Sequence, residues 1–272
     1  MENVLEYNKW EDKLWALYDS IFKDASYTIR DGVIFPDKYA STPFKVMIMN
    51  REAYDEKSYS LNQDGIAKEI GEGIIPFKDQ ITLRSHLRQY LSLIHLLSNK
   101  GFNEVSEKEV IDFVNQSDND DFAYYLSNAA YINIKKSDGK KRSVRSDLKE
   151  YAKKGIDVLK EQIRFCNPSV ILGGDVCDDI IDDLFEWGEV LYGGDGYNPV
   201  KIYELVIDGK SYPFIDMFHP SRTQNYKDGD ETENMSMYFL ELFKGMISVE
   251  KARSGYWSSH MNNKCFETSA LR

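Results

Sequence analysis

The chain has 272 residues, with 34 Lys or Arg against 45 Asp or Glu, a formal net charge of −11. Hydrophobic residues make up 42% of it, enough for a substantial core, which excludes wholesale disorder. The acidic balance argues against a protein that coats nucleic acid without selectivity, and no apolar run approaches the ~18 residues of a membrane-crossing helix.

The charge is unevenly spread. From Tyr131 to Phe165 eleven Lys or Arg stand against five acids, so this stretch is +6 and the rest of the chain −17. The N-terminal MENVLEYNKWEDKLW lacks the apolar core of a secretory signal. Three widely spaced cysteines, Cys166, Cys177 and Cys265, form no CxxC pair, so neither a disulfide framework nor a zinc site is indicated. Free thiols in a reducing cytoplasm are the expectation.

Residues 4–23 place Leu5, Trp10, Leu14, Leu17, Tyr18 and Ile21 at helical spacing, which predicts an N-terminal helix. After a loop with Pro36 and Pro43, Lys45 to Asn50 is a short apolar run ending in polar residues, the pattern of a buried parallel strand. Residues 55–78 read as loop. An amphipathic helix is expected over 79–98 with Asp79 as N-cap, and another over about 106–117, where Ser106 and Glu109 stand at capping-box spacing. Residues 121–128 read as helix and 130–134 as strand, followed by a basic loop and a helix over about 145–165. Residues 169–173 make a third strand, and 176–186 a short acidic helix with a solvated face. Residues 200–207 and 212–218 are strands split by the Asp208-Gly209 turn signal, and 233–250 is the last long helix. Strands alternating with helices throughout mean an α/β fold with a mostly parallel sheet. The expectation is one domain over 1–272, with a peripheral tail after about Ser254.

In open α/β sheets, ligands bind beyond the carboxyl ends of the strands. Past the first strand come Asn50, Arg51, Glu52, Ala53, Tyr54 and Asp55. At the end of the second are Asn133, Lys135 and Lys136; after the third, Gly173, Gly174 and Asp175; after the last, His219, Pro220, Ser221 and Arg222. A carboxylate, an aromatic ring, an amide, a histidine and a hydroxyl form a set able to bind a planar heterocycle and hydrolyse a bond to it. Plainer readings stand beside this one. Glu52 fits a solvated loop acid, His219 a strand cap before Pro220, Asn133 a side chain satisfying backbone, and Tyr54 a core residue. The basic run 135–145 fits a solvated loop, and His86 and His95 fit structural roles on one helix.

The segment Lys45 to Tyr54, KVMIMNREAY, resembles the first motif of the uracil-DNA glycosylase superfamily, KVVILGQDPY. The Lys, the apolar strand, the acid and the Tyr fall in register. Phe218-His219-Pro220-Ser221 resembles the start of the second motif, HPSPLS, and Ile132-Asn133-Ile134 resembles the strand that supplies the base-reading Asn. Asn167 to Gly173 resembles the strand between them, and the order matches over about residues 40–225. The departures are specific. Asn50-Arg51 replaces Gly-Gln, the acid is Glu52 rather than Asp, Ala53 stands for Pro and Asp55 for His, and Arg222-Thr223 replaces the apolar wedge.

The resemblance implies a three-layer α/β/α sandwich around a central, mostly parallel four-stranded sheet. It implies a hydrolase that cleaves the N-glycosidic bond of a flipped uracil or modified pyrimidine in single- or double-stranded DNA, with no cofactor or metal. Glu52 and His219 would be catalytic, Glu52 against charge at C1′ and His219 donating to O2 of the departing base. Asn133, Tyr54 and Phe77 would bind the base. Ser221, Arg222, Lys135, Lys136, Lys140, Lys141 and Arg142 would contact phosphate or line the approach. A cytoplasmic monomer with no membrane partner is the accompanying expectation. Two alternatives stay open: a catalytically silent member that binds nucleic acid or protein, and a hydrolase of a small nucleotide, which suits an acidic surface.

Overall fold

The computed structural model describes residues 2–53, 57–61, 65–73, 86–117, 119–140, 142–194, 198–219, 236 and 238–266. The elements in chain order are α1 (Glu2–Ile21), β1 (Ile29–Arg30), β2 (Gly32–Val33), α2 (Pro36–Ser41), β3 (Val46–Glu52), β4 (Tyr59–Ser60) and α3 (Ile66–Gly71). Then come α4 (Leu87–Lys100), α5 (Glu107–Gln116), α6 (Asn119–Ser127), β5 (Ala129–Lys135), α7 (Arg145–Lys154), α8 (Ile156–Cys166) and β6 (Val170–Gly174). The chain continues through β7 (Glu186–Tyr192), β8 (Val200–Ile207), β9 (Lys210–Met217), α9 (Phe239–Ala252) and α10 (Tyr256–Ser259).

The main sheet has seven strands in the order β2-β5-β3-β6-β9-β8-β7. Neighbours from β5 to β9 run parallel, whereas β2 at one edge and β8 and β7 at the other pair antiparallel. The expected four-stranded sheet is therefore a seven-stranded mixed one. β1 and β4 form a separate parallel pair.

Apolar side chains alternate across the sheet, and each face has its own core. Val46, Ile48, Leu172, Ile215 and Met217 pack under α4, α5 and α9. Met47, Met49, Ile132, Ile171 and Phe214 pack under α1, α7 and α8. On α1, Trp10 stacks on Phe165 at 4.1 Å between ring centres and donates Nε1–H to Glu161. The capping box at Ser106 and Glu109 is formed as the spacing predicts.

Five expectations need correction. Residues 55–78, expected as loop, carry β4 and α3. The 145–165 helix is two helices, broken at Gly155, where a Cβ would meet the Phe22 ring at 3.3 Å. The acidic helix over 176–186 is a single turn at Cys177–Ile181, with Asp178 extended and Asp179 at φ 62°. Asp tolerates that left-handed conformation better than most residues, so the acid pair turns the chain instead of continuing a helix. Strand β7 then follows, unforeseen because it is an exposed edge strand with two glutamates and no buried face to impose alternation. The segment after Ser254 is not peripheral as far as Phe266. Trp257 is fully buried, with Nε1–H donating to the Met246 carbonyl, and Phe266 pairs through its N–H with the Phe165 carbonyl. Residues 79–85 of the expected α4 start, with Asp79, and most of 233–238 lie outside the described residues.

The connections decide where a ligand fits. The chain leaving β3 covers the α4 face through α3 to α6. The chain leaving β5 covers the α1 face through α7 and α8, and the residues just after β6 also pack there. Neighbouring strands whose connections part to opposite faces open a crevice at their carboxyl ends. The carboxyl end of β3 lies between two such neighbours. Among the described residues no helix is long and apolar enough to cross a membrane.

Candidate functional site

Polar residues collect where β3 ends. Alternation places Asn50 on the side of Val46 and Ile48, facing the α4 layer, and Arg51 on the side of Met47 and Met49, while Glu52 at the strand end lies by Lys135 and the Lys140 backbone. Asn50 is 2% exposed, and neither its Oδ1 nor its Nδ2 has a hydrogen-bond partner among the described residues. Asn133 on β5 is its partner in the ladder.

Asn133 has a different setting. Its backbone N–H and its Nδ2 donate to Asp31 Oδ2 at 2.7 and 3.2 Å. Asp31 also accepts from Lys136 Nζ at 2.8 and 3.0 Å and from Gln162 Nε2 at 3.0 Å. Lys136 closes the loop by donating to the Asn133 carbonyl at 2.6 Å. Burial pulls the Lys136 ammonium below its ordinary range, against the Asp31 carboxylate, which holds it up. This network is sealed, with Lys136 only 1% exposed. Lys136 is thus an internal counter-ion and has no route to a phosphate, and the Asn133 amide is committed to Asp31.

The Glu52 side chain is 4% exposed. Its Oε2 accepts the Lys140 backbone N–H at 2.9 Å and lies 3.9 Å from Lys135 Nζ. Its Oε1 is buried and has no partner among the described residues. Lys135 donates to Asp147 Oδ2 at 2.6 Å and sits 4.7 Å above the Tyr151 ring. That hydrogen bond from Lys135 holds the Asp147 carboxyl below its usual range. Lys135 therefore braces the site from within and is likewise withdrawn from any phosphate contact. The Lys140 side chain and Arg142 are exposed, so the solvated part of the basic run begins there.

Across the crevice, Arg51 Nε donates to the Asp175 carbonyl at 3.0 Å, and its guanidinium pairs with the Asp175 carboxylate. Arg145 holds the same carboxylate at 2.7 Å. His219 follows the end of β9, where burial, and secondly the Arg51 charge, push its pKa down to about 4. At neutral pH the ring is uncharged, so it can donate one hydrogen bond without carrying charge.

Beside this cluster is a cavity of about 280 Å³ lined by Asp175, Asp178, Lys201, Asp216, Met217 and Phe218 among others. Asp216 stands opposite Lys201 in the β8–β9 ladder. Burial, with the Asp178 charge next, pushes the Asp216 carboxyl up to about 7. A carboxyl that titrates near neutrality is suited to proton transfer. Asp175 joins the two regions, lining the cavity and holding Arg51.

No family model matches this chain, and no curated protein matches it. The site therefore stands on its own geometry. That geometry brings Glu52, Lys135 and the Lys140 backbone together, and gathers Arg51 of β3, Asp175 after β6, Arg145 at the start of α7 and His219 after β9. Tyr54, Phe77, Lys141, Ser221 and Arg222 lie outside the described residues. Among the described residues no group of three or more His, Cys, Asp or Glu is placed to hold a metal ion.

Sequence reasoning placed Asn50 only among the divergent residues past the first strand, without a contact to make, and passed over Asp216. Both carried a signal. Asp216 is a lone acid in the otherwise apolar run from Tyr212 to Phe218, and Asn50 ends an uninterrupted apolar run from Val46. A polar group in such a position is costly unless something pairs with it.

Proposed function

We propose that this protein hydrolyses the N-glycosidic bond of a pyrimidine base, in the manner of the uracil-DNA glycosylase superfamily that its motifs resemble. The observation that carries this reading is Glu52. It ends the central parallel strand at the divergence of the connections, one oxygen fixed by a backbone N–H and the other buried and open.

The chemistry follows from that placement. As the C1′–N bond breaks, its electron pair leaves with the base and positive charge develops on the sugar. The free Glu52 oxygen faces that charge, or orients the water whose oxygen bonds to C1′. The neutral His219 N–H donates to the carbonyl oxygen of the departing anionic base. A target within a duplex would first be rotated out of the stack.

One observation favours a small-nucleotide substrate as a second reading. Lys135 and Lys136 are spent on internal carboxylates, and the adjoining cavity is acidic. Fewer free cations near the crevice means a weaker hold on a long phosphate track.

The test is base release from single- and double-stranded DNA and from free nucleotides containing uracil and modified pyrimidines. Wild type should release base, and Glu52→Gln should be slower by on the order of 10²–10⁴-fold while remaining folded. Equal rates for the two proteins, or no release from any substrate, would remove this reading.

A further inference from the structure

The structure assigns the reading of the ligand's hydrogen-bonding edge to Asn50, not to its ladder partner Asn133. This deepens the proposed function and rests on it for the location of the site; the role of the amide is argued separately.

Two side chains on one strand, two residues apart, each bury polar atoms without a partner among the described residues. They are both amide atoms of Asn50 and Oε1 of Glu52. Around Asp31, by contrast, both carboxylate oxygens and the Lys136 ammonium are bonded, and Gln162 Oε1 is the one open atom. An unsatisfied amide within a sheet is a destabilising feature. It is explained where a ligand completes the bonds. Asn133 cannot take that part without giving up Asp31, which would leave a buried carboxylate short of a donor.

The chemistry of the occupant follows from the amide itself, which presents one acceptor and a donor side by side. Its complement is a planar ring carrying an adjacent acceptor and N–H donor along one edge. The O4/N3–H edge of uracil and the N3/N4–H edge of cytosine both qualify, because no bond among the described residues fixes which way the amide faces. Asn50 and Glu52 are separated by about 7 Å along the strand. The strand thus offers a reader for the far edge of a base and a carboxylate oxygen beyond it. On the Asn50 face, Tyr90, Gln89 and Ser236 form a hydrogen-bonded cluster near the starts of α4 and α9.

The experiment measures thermal stability and the binding of free uracil, cytosine and N3-methyluracil to wild type, Asn50→Leu and Asn133→Leu. Free bases need no turnover, so the result does not depend on catalysis. Wild type should bind uracil or cytosine, whichever edge the site prefers. If uracil binds, it should do so at least ~10-fold more tightly than N3-methyluracil, which lacks the N–H. Asn50→Leu should lose at least ~10-fold in binding yet melt about 2–4 °C higher, because it removes an unsatisfied group. Asn133→Leu should melt lower and, where folded, keep its binding. Binding of neither base by the wild type, equal binding of uracil and its N3-methyl form, or a lower melting temperature for Asn50→Leu would each overturn the assignment. If this binding pattern holds and no substrate releases base, the assignment survives and the hydrolase reading falls. Release abolished in Glu52→Gln but unaffected in Asn50→Leu is the converse.

Discussion

The two strands of the β3–β5 pair treat buried polarity in opposite ways at their carboxyl ends. On the β5 side, Asp31, Lys136, Asn133 and Gln162 form a ring in which Asp31 receives bonds from all three other side chains. On the β3 side, Asn50 and Glu52 keep buried atoms open, and the neighbouring strands add an uncharged His219 and a carboxyl near neutrality at Asp216. The ring around Asp31 is what a structural network looks like, a buried ion pair bonded at both carboxylate oxygens, with Gln162 Oε1 its one open atom. The open polar atoms of Asn50 and Glu52 are unfavourable until something pairs with them. Two asparagines paired in one ladder therefore have opposite settings, one bonded and one open.

The largest test of that contrast breaks the ring around Asp31. Lys136→Met leaves the Asp31 carboxylate buried without its ammonium, and should cost about 3–5 kcal/mol of stability in urea unfolding. A loss below 1 kcal/mol would mean the ring is not the tight network described.

The next prediction concerns the open side and pH. The folded state holds the Asp216 proton up to about pH 7, whereas the unfolded chain releases it near its ordinary 3.8. The folded state therefore binds more protons in that window, and this group's contribution to stability falls as pH rises through it. His219 acts in the opposite sense between 6.5 and about 4, where the unfolded chain binds the proton and stability falls as pH falls. The comparison of wild type with Asp216→Asn isolates the first effect. The variant should gain on wild type by a few kcal/mol in all between pH 4 and 8. Parallel stability–pH curves for the two proteins would place Asp216 in solvent.

Smaller effects mark the background against which both are read. Ser106→Ala removes one half of the capping box and should cost about 1 kcal/mol, measured by thermal unfolding. Lys149→Met, which loses exposed pairs with Asp183 and Asp182, should unfold close to wild type, with any difference shrinking further in high salt. If the exposed pair proved as costly as Lys136, burial would not be what separates the regions.

The sequence by itself determined the elements whose signal is local. α1, β3, β5, β6, β8, β9 and the capped α5 are legible because periodicity and caps act between residues near one another in the chain. So is the set of polar residues at the strand ends, because a buried parallel strand must become polar where it meets the crevice. The tertiary structure decided what those residues do. Whether Asn50 or Asn133 is satisfied depends on Asp31, which comes from an edge of the sheet far away in sequence. Whether Lys135 and Lys136 reach solvent depends on Asp147 and Asp31 meeting them across the fold. The exposed edge strand β7 and the Asp178–Asp179 turn follow from pairing and backbone conformation, which leave no hydrophobic pattern to read. Burial and pairing are non-local, so the composition of the site could be read in the chain, while the roles of its members were fixed only when the strands came together.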